Sequence, residues 1–424
     1  MHDFRVLRDQ VDALRSAMTR RGKLEALEGS IARGVALDAE RRARIQEVED
    51  KKAARNANSQ EVARRKQNRE DAAALIAAGR SLGAEIARLE EELAASEQEL
   101  RAILLDLPNL TLDEVPAGDE TQNRIEKSWG SPRPADGCLP HWELGARLGI
   151  LDLERGVKIS GSGFVVLRGG GARLVRALMN FFIDTHVHEH GYEEVWVPAV
   201  VKRATMIGTG QLPKFEDDMY GLRDEDLFLV PTAEVPVTNL YRDEMLEPSM
   251  LPKGFVAYTP CFRREAGAAG KDTRGLLRLH QFDKVEIVRY TTPEQSPAEH
   301  ESLTRHAETL LERLGLPYRR VLLAAGDTGN SSAKTWDLET WAPGVGKWLE
   351  VSSCSTFTDY QARRANLRYR PAPGEKPRFV HTLNGSGLAF PRVIACLLEH
   401  YQRPDGAVQV PEALQPYLGA TQLR

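Results

Sequence analysis

A chain of 424 residues with a formal charge of −4 can bury a large core, most naturally as two domains, and is not basic all over. Its four cysteines, Cys138, Cys261, Cys354 and Cys396, lie far apart with no C-x-x-C pair, which excludes a zinc ribbon and a disulfide scaffold and points to a reducing compartment. The start, MHDFRVLRDQ, lacks the apolar core of a signal peptide, and nowhere do eighteen apolar residues run together, so the expectation is a soluble cytoplasmic protein with no membrane segment.

From Ser81 to Leu107 the residues Leu82, Ile86, Leu89, Leu93, Leu100, Ile103 and Leu104 recur at three- and four-residue steps, with Glu and Arg between them. This is the spacing of a coiled-coil seam. Val35 to Val62 has no proline and a thinner seam of Leu37, Ile45, Val48 and Val62. Together they predict a helical hairpin with its turn near Asn56 to Asn68. Helices of about 40 residues reach about 60 Å, too long for a compact core, so residues 1–110 are set apart as a projecting arm.

The charge on the arm is uneven. Between Lys51 and Arg69 stand Lys51, Lys52, Arg55, Arg64, Arg65, Lys66 and Arg69, against Glu61 alone. Charged helices are often merely solvated. A positive cluster near the tip of a hairpin also suits contact with a phosphate backbone, and composition does not separate the two.

After Leu107, LPNLTLDEVPAGDETQN carries Pro and Gly without helical period, which predicts a linker over 111–130 opening a second domain, 111–424. WVPAVV, LFLVPTAE, GFVAYTPCF, HQFDKVEIVRY, KWLEVSSCS and RFVHTLNGS read as strands, and ARLVRALMNFFIDTHVHEH, SPAEHESLTRHAETLLERLG and FPRVIACLLEHYQ as helices. Strands that recur without a helix between each pair predict an α+β domain, a mostly antiparallel sheet with helices packed on it, and no Rossmann fold.

The stretch EAGAAGKDT approaches a P-loop, but Glu265 stands for its first Gly and Asp272 for its hydroxyl. Two anions at an anion site would repel phosphate. VAYTPCFRRE and LLRLHQFDKVEIV read instead as two strands joined by AGAAGKDTRG. Alternation puts Arg263 and Glu265 on one face, and Phe282, Lys284 and Glu286 on one face. An Arg fork, an aromatic ring and a Glu are parts for binding ATP and an amino acid, and equally parts of a surface ion-pair lattice.

FRREAG followed by RLHQFDKVE resembles motif 2 of the class II aminoacyl-tRNA synthetases. GTGQLPKF, VPTAEVPVTN, WLEVSSCSTFTDYQARR and HTLNGSGLAFPR, in that order, resemble the bacterial-type seryl-tRNA synthetases over essentially the whole chain. HGYEEVWVPAVV is similar to motif 1, with Pro198, and NGSGLAFPR to motif 3, with Arg392. The resemblance implies an enzyme that activates serine with ATP and Mg²⁺ and transfers the seryl group to tRNA(Ser), with tRNA(Sec) left open. It implies a homodimer, and catalytic roles for Arg263 and Arg392. Serine would meet Thr232, Ala233, Glu234, Arg263, Glu286 and Ser386. ATP would meet Arg263, Arg264, Glu265, Phe282, the run Glu350, Val351, Ser352 and Ser353, and Arg392, although alternation turns the Arg264 side chain away. Glu350 and Ser353 would hold magnesium. The seven arm cations, with Lys271 and Arg274 of the motif 2 loop, would contact tRNA. Shortened relatives that load carrier proteins lack the arm, and an inactive RNA-binding relative would have lost Arg263, Glu286, Glu350 or Arg392.

His186, His188 and His190 imitate a metal cluster, but no third ligand of suitable spacing stands near the pair one helical turn apart. Cys261 and Cys354 read as small core residues. Gly169 to Gly171 mark a close approach at the start of the motif 1 helix.

Overall fold

The computed structural model describes residues 1–266 and 274–424. It divides into two units, Met1–Leu107 and Pro108–Arg424.

In the first unit, helix α1 (Leu24–Gln67) runs beside helix α2 (Ala73–Asp106). Leu27, Ile31, Leu37 and Val48 of α1 and Ile86, Leu89, Leu100 and Leu104 of α2 form the buried seam. Leu7, Leu14 and Met18, from two short preceding helices, are also buried. Ion pairs cross the hairpin from Arg33 to Glu99 at 2.8 Å, Arg41 to Glu97 at 2.7 Å, and Lys51 to Glu85 and Lys52 to Glu90 at 2.6 Å. Exposed pairs of this kind contribute little to stability.

The hairpin departs from expectation at two points. α1 begins well before Val35, because Leu27 and Ile31 extend its seam. It also continues through Asn56 to Gln67, which contain neither Gly nor Pro to stop a helix. Asn58 is absorbed into the packing, its Nδ2 donating to Leu75 O at 2.8 Å. The turn is Asn68–Ala72, where Arg69 takes φ +59° and the Asp71 carboxylate accepts from Ala73 N–H at 2.9 Å.

The second unit is built on eight strands: β1 (Arg124–Trp129), β2 (Glu193–Glu194), β3 (Lys253–Phe262), β4 (Gln281–Thr291), β5 (Tyr318–Leu322), β6 (Lys334–Ala342), β7 (Lys347–Thr356) and β8 (His381–Ala389). Their order across the sheet is β1-β5-β6-β7-β8-β4-β3-β2, antiparallel except for the pair β2 and β3. Helices α3 (Gly170–His188), α4 (Ser296–Arg313) and α5 (Phe390–His400) bury Leu178, Phe182, Leu303, Leu310, Val393 and Leu397 in one core with Val285, Ile287 and Leu383 of the sheet. Pro297 and Pro391 sit in the first turns of α4 and α5, where the missing N–H costs no helical bond.

Several sequence expectations change here. The end of the supposed linker is a strand, β1, paired with β5. Of WVPAVV only Val200 and Val201 are in a strand, and LFLVPTAE leaves the extended state after Leu229, with Glu234 opening a short helix. β5 and β6 were not expected at all. At the start of α3, a Cβ on Gly171 would lie 2.6 Å from the carbonyl oxygen of Ile150, so the helix packs closer to that backbone than any larger residue allows.

Candidate active site

A cavity of about 550 Å³ opens over β4, β8 and β7. Phe282, Lys284 and Glu286 alternate along β4, and all three line it. Lys284 and Glu286, nearly buried, form an ion pair, and Glu286 Oε1 accepts from Asn384 Nδ2 at 3.0 Å. Burial still lifts the Glu286 pKa above the ordinary carboxylate value, against the pull of Lys284 and the Thr232 hydroxyl. Glu234 faces the same end. Burial, and then the Glu286 charge, push its pKa up to about 7, while Gln361 Nε2 donates to its Oε1 at 2.7 Å. Thr232 and Ser386 complete this end.

Arg263 lies just beyond β3, its N–H donating to His280 O at 2.9 Å and so extending the hairpin by one pair. Its guanidinium sits 5.2 Å from the centre of the Phe282 ring. Strand alternation does not reach Glu265, which takes φ +53°. Glu265 lines the cavity all the same, ion-paired with Arg278. The exposed Arg264 is not in the lining, and its N–H donates to Asp218 O at 2.9 Å.

At the other end stand Glu350, Ser353 and Arg392. Three residues apart on a regular strand, Glu350 and Ser353 would face opposite ways. A bulge brings them together: Leu338 and Glu339 of β6 pair with Ser352 and Glu350, so Val351 is the extra residue. A second irregularity, between Ser386 and Ala389 of β8, lets Ser386, Ala389 and Arg392 reach the same space. The cavity wall disfavours charge on Glu350, but Arg392 and Arg263 outweigh it and hold the Glu350 pKa below the ordinary value. Asp337, paired across the strands with Ser353, is pushed the other way by burial and by Glu350.

Of the remaining expected residues, Ala233, Val351 and Ser352 are buried outside the lining. Ser352 Oγ supports the pocket from behind by donating to Ser386 O at 2.7 Å. Lys271 lies outside the described residues, and the Arg274 guanidinium sits 5.2 Å above the Trp142 ring. On the arm, Lys51 and Lys52 have the acidic partners given above, and Arg64 and Arg65 both pair with Glu61. Arg55, Lys66 and Arg69 have no acidic partner among the described residues.

Lys284, Asn384, Arg278 and Gln361 had not been singled out for a role. Lys284 had a sequence signal, because it shares the β4 face with Phe282 and Glu286. The partners of Asn384 and Gln361 are 98 and 127 positions away, beyond any local pattern. The histidines regroup as well: His188 is exposed, while His186 and His190, their Nδ1 atoms 3.0 Å apart, are joined by His306, stacked on His190 at 4.1 Å. No group of three or more His, Cys, Asp or Glu among the described residues could hold a metal ion by itself.

Residues 214–401 match the tRNA synthetase class II core domain (G, H, P, S and T), and residues 1–111 match the seryl-tRNA synthetase N-terminal domain. An antiparallel sheet carrying this two-ended cavity is thus the core of a class II aminoacyl-tRNA synthetase. The chain is 63% identical to a serine–tRNA ligase of Gemmatimonas aurantiaca over 420 residues, 99% of each chain, and 51% identical to that of Thermomicrobium roseum over 100% of this chain and 94% of the relative. Its fold superposes on a seryl-tRNA synthetase from Pyrococcus horikoshii complexed with ATP with a TM-score of 0.95 and 37% identity, covering 100% and 99% of the two chains. The chain belongs to the seryl-tRNA synthetase family.

Proposed function

We propose that the cavity joins serine to ATP and that the seryl group then passes to the terminal ribose of tRNA(Ser). In the first step a serine carboxylate oxygen attacks the α-phosphorus, the bond to the bridging oxygen breaks, and pyrophosphate leaves. In the second, a ribose hydroxyl attacks the carbonyl carbon and AMP leaves. The observation that carries this reading is the charge layout of one cavity: buried Glu234, Glu286 and Lys284 at one end, Glu350, Ser353 and Arg392 at the other, and Arg263 with Phe282 also in its lining. The Pyrococcus horikoshii relative was solved with ATP, which supports placing the nucleotide here.

The roles follow from the chemistry. Arg263 offers its fork to the serine carboxylate and the α-phosphate, where negative charge gathers in the transition state. Phe282 offers a ring face to adenine, and Arg392 a cation to its other face and the terminal phosphates. Glu234 and Glu286 hold the ammonium, and Glu286, Ser386 and Thr232 satisfy the serine hydroxyl. A pocket built to pair a hydroxyl leaves its groups unpaired when alanine enters, a penalty on the order of 10⁴-fold.

Magnesium fits the nucleotide end. Glu350 and Ser353 supply two hard oxygen donors, the small protein share suited to an ion that comes with phosphates and keeps its waters. When bound it neutralises phosphate charge. We assign the arm to the tRNA backbone, through its cations, and a homodimer to the motif 1 region, where Trp196 is 84% exposed. Four free cysteines, three of them buried, suit the reducing cytoplasm, and no helix among the described residues is long and apolar enough to cross a membrane.

ATP–pyrophosphate exchange on the purified protein, across the standard amino acids and without tRNA, tests the proposal. Exchange with serine alone is expected. Exchange with glycine or alanine, or with none, would overturn it.

A further inference from the structure

Asn109 stands two residues beyond Leu107, the last residue of the helical unit, and is only 4% exposed. A buried amide has to use its donors. Its Nδ2 donates to Ser331 O at 2.9 Å and to Phe357 O at 2.8 Å. Its N–H donates to Asn330 O at 2.8 Å, and its Oδ1 accepts from Leu110 N–H at 2.9 Å. Asn330, Ser331 and Phe357 all line the cavity, so one linker side chain ties two separate strips of its wall.

Both strips lead to Gln361. Ser331 Oγ donates to Thr209 O at 3.2 Å, and that carbonyl also accepts from Gln361 Nε2 at 3.2 Å. Phe357 N–H donates to Thr382 O at 3.0 Å, and Thr382 Oγ1 donates to Gln361 Oε1 at 2.7 Å. The Gln361 amide, fully buried and held at both ends, is thereby oriented to donate to Glu234. The two segments approach closely here: a Cβ on Gly210 would lie 2.2 Å from Ser331 Oγ. At the nucleotide end, Arg392 and Glu350 are held instead by each other and, for Arg392, by Leu277 O.

We infer that Asn109 is a positioning residue for the serine end of the cavity, acting through both wall strips on Gln361 and through it on Glu234. The segment that carries the arm is then part of the amino-acid site. This rests on the reading of that end as the serine pocket.

The test is steady-state ATP–pyrophosphate exchange on the full chain. Asn109→Asp is nearly isosteric and sets a carboxylate oxygen against two carbonyl oxygens; Asn109→Ala removes the amide. Each is expected to raise KM for serine about tenfold, the scale of one lost buried hydrogen bond, while KM for ATP and kcat stay within about threefold. An equal rise in both KM values, a fall in kcat alone, or an unchanged KM for serine would overturn the inference. Ser331→Ala cuts one of the two paths and serves if the Asn109 variants do not fold. It should raise KM for serine about threefold and combine less than additively with Asn109→Ala. An unchanged serine KM in Ser331→Ala, or strict additivity, would equally sink the idea. Failure of the functional reading looks different, since the unaltered protein would then show no serine-dependent exchange.

Discussion

Arg392 and Glu350 neutralise one another at one end of the cavity: Arg392 Nη1 donates to the Glu350 carboxylate at 3.1 Å and to the Glu350 carbonyl at 2.8 Å. With ATP and magnesium bound as proposed, the triphosphate would take the guanidinium and the ion the carboxylate, and the pair would open. Glu350→Gln keeps the shape and removes the charge that repels phosphate. It is expected to bind ATP without magnesium at least as tightly as the unaltered protein, to lose the tightening that magnesium brings, and to exchange pyrophosphate about 100-fold more slowly. Calorimetric titration with ATP, with and without magnesium, checks the first two outcomes.

Burial and the Glu286 charge push the Glu234 pKa up to about 7, so serine binding at the proposed pocket should depend on pH. Below that value the carboxyl is mostly protonated, and above it the carboxylate attracts the serine ammonium. KM for serine should therefore fall as pH rises from about 6 to about 8, with its midpoint near the Glu234 pKa. In Glu234→Gln the profile should be flat over that range. A slope that survives the substitution would assign the titration elsewhere.

Gly387 sits where β8 bulges, next to Ser386 of the cavity lining. A Cβ there would lie 2.8 Å from His186 Nε2 and 3.0 Å from Val285 Cγ1, and the next residue, Leu388, already takes φ +82°. His186 and Val285 are buried and packed. Gly387→Ala should destabilise the protein by about 1–3 kcal/mol, as overpacking does, and raise KM for serine more than KM for ATP by displacing Ser386. Thermal unfolding with exchange kinetics measures both.

The arm carries fewer available cations than its composition suggests. Of the seven between Lys51 and Arg69, Lys51, Lys52, Arg64 and Arg65 are paired with carboxylates. The slope of log affinity for tRNA against log salt should then reflect about three contacts from this stretch, Arg55, Lys66 and Arg69, rather than seven. Replacing those three with Ala should flatten the slope more than replacing Lys51 and Lys52. Binding titrations across a range of salt concentrations measure it.

The helical hairpin was legible because its seam repeats for several turns, and the β4 face because alternation holds from Phe282 to Glu286. β6 carries the same alternation, burying Trp336, Leu338, Thr340 and Ala342, but Lys334, Asp337 and Glu339 make it resemble a loop. β5 hides in YRRVL because Arg320, nearly buried, is paired with Glu301 and stacked 3.6 Å over Trp336. Its charge reads as solvent-facing when the partners are unknown. Local period also cannot reveal a bulge. Glu350 and Ser353 share a site only because Val351 is extra, and Glu265 lines the cavity beside Arg263 through a left-handed turn of its backbone, not through strand alternation.

The pairing of β1 with β5 sets an order of events during synthesis. The buried seam residues of the hairpin, Leu27 to Leu104, have all been synthesised once Leu104 is made. Arg124 of β1 must wait for Leu322, a delay of roughly 10–40 s at translation rates of about 5–20 residues per second. Each nascent chain therefore carries a finished arm while its catalytic sheet still has an open edge. A ribosome stalled soon after the hairpin has emerged would present the paired helices before any strand of the catalytic sheet has been made.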